Sequence, residues 1–390
     1  MCLKTLSIKK NKLCLCVKLQ FKPSSMKRDL YIDFAKGLAT ISIIFIHTAF
    51  WSGQFYMPTE ARVFSLVFDV ALFYALSGIT SGNNIEKTLY RLLKLQITYM
   101  IFVTFLFFLD YFFKVFGLSF FSFDWLKDFY STFGSKYVPN SISSEPQWQV
   151  LGNWYLHEYS NCDTFPVVMG SFWYLKVYYI LTVLGVLILR FFPKHINWFI
   201  GICITLTLIF NLIPQYYPNG QGGYVAFYMA LFLIGNRMKG RTIPTKLIPV
   251  LYGLVAVALA WMFWNYGSDI FYKLNKQKFP PKIPYIIWTL FSLVTLFVFY
   301  NRLKITKPNF ITNVGQNAIF FYFAQGMSSS LVYFLVVPMK DSMPWYLLVL
   351  IIYPLNILLA FLISSGLKKV DDLGWKVLEF LRIKTASKNP

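Results

Sequence analysis

Ten apolar runs, each long enough to cross about 30 Å of hydrocarbon as a helix, dominate the chain. They lie at residues 32–52, 62–82, 95–116, 166–189, 196–213, 222–238, 246–266, 283–300, 314–338 and 344–366. Polar and charged residues gather in the stretches between them, and no internal repeat is visible. The pattern predicts an all-α polytopic membrane protein of about ten transmembrane helices.

The basic residues between the runs orient them. With the N-terminus inside, the cytoplasmic connections are "NNIEKTLYRLLK", "RFFPKH", "NRMKGRTIPTK" and "NRLKITKPN", all rich in Lys and Arg. An excess of Lys and Arg marks the cytoplasmic side, and an even number of spans places both termini there. The long connection at about 117–165 falls outside and carries Asp124, Asp128, Glu145, Glu158 and Asp163 against Lys127 and Lys136. Its Trp and Tyr content suits either stacking on sugar rings or an interfacial belt. One loop, "YGSDIFYKLNKQKFPPK", has four lysines yet falls outside; the majority pattern decides the orientation against it.

Composition agrees with the pattern. The 390 residues are 57% hydrophobic, 20% aromatic and only 14% charged, against about a quarter charged in a soluble domain. The net charge of +21 raises a nucleic-acid reading. The positive charge sits in short loops and tails between apolar runs, which topology explains better, so no nucleic-acid partner is expected. Residues 1–27 are basic and lack a signal-peptide core. They read as an amphipathic surface tail or as the product of an upstream start, with Met26 as the true beginning. Residues 28–366 read as one integral membrane domain and 367–390 as a basic cytoplasmic tail. Cys2, Cys14, Cys16, Cys162 and Cys203 make no CxxC pair and no Cys/His cluster of zinc spacing, so neither a metal nor redox chemistry is indicated.

The first run carries the chemistry that lipid does not tolerate cheaply. "YIDFAKGLATISIIFIH" holds Asp33, Lys36 and His47, and each charge at bilayer depth costs about 2.5–3.5 kcal/mol on insertion scales. At 100° per residue Lys36 and His47 point within about 20° of one direction, about 16 Å apart along the axis. Asp33 shares that face to within about 60°. Snorkelling is the alternative for Lys36, a local pair with Lys36 the alternative for Asp33, and a hydrogen-bonded structural role the alternative for His47. Asp69, on the second run, comes to a similar depth as His47 and suits the orienter of a general base. Ser77 falls near the inner end, at the height of Lys36. Arg91 and Lys94 follow just inside, so the cytoplasmic mouth gathers cations suited to a polyphosphate-bearing ligand, or simply obeys the inside-positive rule.

These residues stand in a recognisable order. "DFAKGLATISIIFIH", with ten positions between Lys36 and His47, resembles the opening helix of the acyltransferase family 3 membrane proteins. "LFYALSG" is similar to the family's second-helix motif, and "RLLK" stands where the family has a basic cluster. "FWYLKVYY", with Trp173, is similar to its Trp-aromatic-Leu segment, and "FYMALFLIGNRM" and "VGQNAIFFYFAQ" resemble two later helices. The ordered set covers about residues 28–330. The resemblance implies a ten-helix enzyme of the bacterial cytoplasmic (inner) membrane that moves an acetyl or other acyl group from cytoplasmic acyl-CoA to a hydroxyl of an envelope, capsular or exopolysaccharide sugar. Acetyl-CoA is then a co-substrate, with no permanently bound cofactor, and the acceptor is a glycan or lipid-linked sugar reached in contact with membrane lipid. His47 would be the base and Asp69 its orienter, while Lys36, Ser77, Arg91 and Lys94 would hold the CoA. Asp33, Trp173, Lys176 and Gln325 would stand around the substrates. Three positions depart from the family's pattern: Lys176 where proline is frequent, Gln325 where histidine is common, and Asp69 where histidine is frequent. Lys176 is expected to pair with Asp69 or to meet the CoA chain. The rival class is a glycolipid or polysaccharide transporter or flippase, and a third is an envelope scaffold, which leaves His47 unexplained.

Overall fold

The computed structural model describes residues 29–386 except 133–141, 143, 159, 161, 217 and 219–221. The predicted N-terminal tail, 1–27, lies outside the described residues. Among them there is no strand, and the chain is a bundle of α1 (Leu30–Phe50), α2 (Thr59–Phe64), α3 (Ala71–Thr80), α4 (Ile85–Phe120), α5 (Phe123–Ser131), α6 (Trp148–Tyr155), α7 (Pro166–Ser171), α8 (Trp173–Phe191), α9 (Ile196–Leu212), α10 (Gly222–Met238), α11 (Ile248–Tyr266), α12 (Asp269–Lys273), α13 (Ile283–Phe299), α14 (Phe310–Gln316), α15 (Ala318–Met339) and α16 (Trp345–Ala386). Side chains set several boundaries. Asp29 accepts from the N–H groups of Tyr31 and Ile32 to start α1, and Asn84 accepts from that of Lys87 to start α4. Asn309 and Thr312 close a reciprocal capping box on α14, satisfying donors that a helix start leaves orphaned. Gly267, at φ 70°, stops α11 in a conformation that only glycine adopts freely.

Each of the ten predicted runs falls on helical structure, the second with a break. Seven stretches among the described residues are long and apolar enough to cross a membrane: Leu30–Phe55, Thr59–Thr80, Ile85–Phe120, Pro166–Phe191, Thr245–Tyr266, Ala318–Met339 and Trp345–Lys376. The remaining three, α9, α10 and α13, have 17 residues each, about 25 Å of helix. Two helix pairs cross at close range because glycines face backbone. A Cβ on Gly315 of α14 would overlap the carbonyl oxygen of Asp33, and one on Gly37 of α1 that of Ile311; Gly78 of α3 and Gly235 of α10 meet Phe232 and Ala75 in the same reciprocal way. Small residues let membrane helices approach so that packing replaces the missing hydrophobic drive.

The structure refines three of these expectations. The second run, predicted at 62–82, is one candidate span, Thr59–Thr80, but not one continuous helix: α2 passes through a 3-10 turn at Ser65–Val67, and α3 restarts after Phe68, Asp69 and Val70. Asp69 makes the break tolerable, because its carboxylate accepts from the N–H of Val70, and irregular backbone survives at this depth where it is buried or lines a cavity.

The stretch expected as a connection outside the membrane at 117–165 holds helices α5 and α6 among its described residues. The helix α4 continues to Phe120, and residues 148–165 fold back along it. Trp148 packs on Phe107 and Phe108, and Tyr99 donates to the Trp154 carbonyl at 2.8 Å. His157 Nε2 meets Gln96 Oε1 at 2.8 Å, and its ring stacks on Tyr99. The chain then climbs again to Asp163, paired with Lys114 at 2.6 Å, and Thr164, whose N–H donates to Asp110. From Lys114 down to Gln96 the hairpin spans about 27 Å of α4. Its aromatic side chains and these hydrogen bonds pack it against the bundle.

The predicted tail at 367–390 begins as helix, since α16 runs on to Ala386. Its Trp375 lies over the ammonium of Lys94 at 5.6 Å.

Candidate active site

The starts of α1, α4 and α15 and the ends of α8 and α10, with Arg190 and Arg237, define one end of the bundle, here the basic end. A cavity of about 300 Å³ opens there. Lys36, Thr40 and Ile43 of α1, Ser77 of α3, Leu95 of α4, Tyr174 and Tyr178 of α8, and Gln316, Tyr322 and Gln325 line it. Its walls are mostly apolar and aromatic, with four polar side chains of interest: Lys36, Ser77, Gln316 and Gln325. Gln316 donates to the Asp33 carboxylate at 3.2 Å, so buried Asp33 ties α14 to α1 beside Lys36.

A second cavity, about 260 Å³, opens towards the opposite end. His47, Phe50, Trp51 and Gln54 line it from α1 and the turn after it; Ser171 and Trp173 line it from α7 and α8; Asn275, Lys278 and Phe279 come from the connection before α13. His47 Nδ1 is buried and has no hydrogen-bond partner among the described residues. The two cavities lie on successive turns of α1, at Ile43 and at Ile46–His47. Between them Tyr322, from the first cavity, donates its phenol hydrogen to the carbonyl of Ser171, from the second, at 2.5 Å.

The predicted pairing of Asp69 with His47 does not appear. Asp69 is fully buried, and its carboxylate accepts from Lys278 Nζ at 2.8 Å and from the Tyr285 hydroxyl at 2.9 Å. Lys278 is 5% exposed and sits over the rings of Trp173 and Phe279 at 5.7 and 5.2 Å. A lysine and an aspartate buried together balance charges that neither could carry alone, and the aromatic faces favour the cation further. The expected partner of Asp69, Lys176, is half-buried on α8 and lines neither cavity; it acts electrostatically on His157 instead. Arg91 is exposed on α4 one turn before Leu95, on the face that continues into the first cavity. Lys94 faces Trp375 of α16.

Sequence reasoning therefore missed Lys278, Tyr285, Gln54 and Asn275. One signal for Lys278 was present. The loop "YGSDIFYKLNKQKFPPK" breaks the inside-positive pattern, and one of its lysines is buried in an ion pair rather than placed at a membrane surface.

The arrangement joins a mostly apolar cavity lined by Lys36 at one end to a polar and aromatic cavity lined by half-buried His47 at the other. Comparison with curated proteins and with solved structures found no match. The family described as "Acyltransferase domain", of the acyltransferase 3 type, matches residues 29–365, nearly all of the helical bundle. The chain belongs to that family, and the protein is a multi-pass membrane acyltransferase.

Proposed function

We propose that the protein takes an acetyl (or other acyl) group from acyl-CoA at the basic end and transfers it to a hydroxyl of an envelope, capsular or exopolysaccharide sugar at the other. In this reading the basic end is cytoplasmic, the ten helical runs all span, both termini are inside, and the membrane is the bacterial cytoplasmic membrane. The observation that carries it is the pair of cavities reaching opposite sides of one wall, with His47 at that wall. CoA would place its phosphates near Lys36 and Arg91 and thread its pantetheine arm along the apolar cavity. Lys36 and His47 are about 16 Å apart along α1, a span suited to a stretched arm.

His47 removes the proton of the sugar hydroxyl. The hydroxyl oxygen attacks the thioester carbon, the C–S bond breaks, and the proton ends on the departing thiolate as free CoA. Trp51, Trp173 and Phe279 offer faces for a sugar ring, and Gln54 and Asn275 offer amides for its hydroxyls. The Asp69–Lys278 pair holds α3, the connection before α13 and the Trp173 face in one register around that site. Asp69 is thus a positioning residue, at one remove from His47.

Sidedness tests this reading. Inverted membrane vesicles, which expose the cytoplasmic face, are expected to incorporate radiolabelled acetyl from acetyl-CoA into the endogenous glycan, and right-side-out vesicles to incorporate none. Equal incorporation by both would contradict the assigned orientation. The break at Asp69 between two cavities is also what a glycolipid transporter would have. Loss of surface polysaccharide in a deletion strain, with unchanged acetyl per repeat unit, would favour that reading instead.

A further inference from the structure

Helix α15 carries four buried polar side chains between positions 325 and 330, Gln325, Ser328, Ser329 and Ser330, close to the wall between the cavities, and they differ in one respect. Ser328 donates to the carbonyl of Gln325, Ser330 to that of Gly326, and Ser329 accepts from Asn356. The side chain of Gln325 is 1% exposed, and neither its Nε2 nor its Oε1 has a partner among the described residues. A buried amide left open at both ends is rare and costly in a folded chain. It faces the cavity assigned above to the acyl donor.

Its depth can be placed. Asn356 donates both to Thr48 of α1 and to Ser329, so those two residues are level. One turn back along each helix, Gln325 stands level with Ile44, about 5 Å short of His47 along the axis. Gly326 packs directly against the backbone of Val168 in α7, which holds this turn of α15 in place. A rigidly presented N–H donor therefore sits between the cationic mouth and the histidine, where the reactive end of a threaded arm would arrive.

We infer that Gln325 is a catalytic residue whose Nε2 donates a hydrogen bond to the thioester carbonyl oxygen of the acyl donor. The inference rests on the donor reading of this cavity. When the sugar oxygen bonds to the thioester carbon, the C=O π pair moves onto the carbonyl oxygen, and the amide stabilises the charge that develops there. When the C–S bond breaks, the pair returns to re-form the carbonyl of the new ester, and sulfur leaves with the bonding electrons. Oε1 is left to face the pantetheine arm, which carries amide N–H groups of its own.

Two donor analogues separate the inference from the reading beneath it. Acetyl-carba(dethia)-CoA keeps the carbonyl on a non-transferable ketone, and S-ethyl-CoA has the same arm without the carbonyl. In purified full-length protein in nanodiscs, Gln325→Met is expected to bind the ketone about tenfold more weakly, the scale of one lost hydrogen bond, and to bind S-ethyl-CoA as the wild type does. Its kcat for acetyl transfer should fall by about 100-fold, as when an oxyanion donor is removed. Unchanged ketone binding, or equal loss of both analogues, would overturn the inference while leaving the donor cavity intact. Failure of the wild type to bind either analogue would remove the donor reading and the inference with it. Should the methionine variant not fold, Gln325→Leu also removes the N–H donor and is judged by the same comparison.

Discussion

At the scale of single residues, the ion pair between Asp69 and Lys278 has the largest energetic consequence. Both side chains are almost wholly buried, so removing one leaves an uncompensated charge in a dry site. Lys278→Ala is expected to destabilise the purified protein by about 3–5 kcal/mol, read as a lowered thermal midpoint. The double variant Asp69→Leu with Lys278→Met should recover much of that loss, since an apolar pair of similar volume avoids desolvating two ions. Additive losses in the two single variants and the double would show the pair is not coupled. The pair also shows what a sequence conceals. That Asp69 was unusual could be read from its place in an apolar run, and that the Lys278 loop was unusual could be read from its charge. That each explains the other could not, because 209 positions separate them and their meeting depends on the whole bundle. The positions of Lys36 and His47, by contrast, follow from helical geometry alone, and the structure sets them on two cavities along one face of α1.

At the scale of elements, two features decide how the cavities are built. The first is close helix contact through glycine. Gly235→Ala would drive a methyl into the carbonyl of Ala75, whereas Gly253 on α11 has nothing within 4 Å of an added Cβ. The first substitution is expected to cut the yield of folded protein sharply. Gly253→Ala should be neutral or add up to about 1 kcal/mol, because alanine is the better helix former; similar yields of both variants in detergent would contradict the proposed crossings. The second feature is the hairpin of residues 148–165 beside α4. Its composition reads as a surface loop because polar residues and aromatics interrupt every apolar run, and α6 is below the length at which apolar periodicity speaks. Its fold comes from tertiary contacts, chiefly the Tyr99 hydroxyl on the Trp154 carbonyl and the Gln96–His157 bond. Tyr99→Phe removes one of these and should cost about 1 kcal/mol, measured as a shift in thermal midpoint that a loop free of the bundle would not show.

At the scale of the whole molecule, the fold class and the ten helical runs were legible, because runs of spanning length need no tertiary information. The break in the second run was not, since neither glycine nor proline marks it and only the buried partners of Asp69 make it favourable. The bundle then divides into a basic end with a long, mostly apolar cavity and an opposite end with a polar, aromatic one, a division that suits a donor and an acceptor held in different compartments. Cysteines introduced singly at Lys239 and Lys273 test that polarity. In intact cells an impermeant maleimide should label position 273 and reach position 239 only after permeabilisation, and the reverse pattern would invert the molecule. The central claim, that His47 is the base for acyl transfer across the wall between the cavities, is tested most directly by O-acetyl content. In cells whose surface polysaccharide is O-acetylated only when this protein is present, His47→Ala at wild-type abundance should reduce acetyl groups per repeat unit, by NMR, to the level of the deletion strain. Acetylation at the wild-type level in that variant would contradict the account.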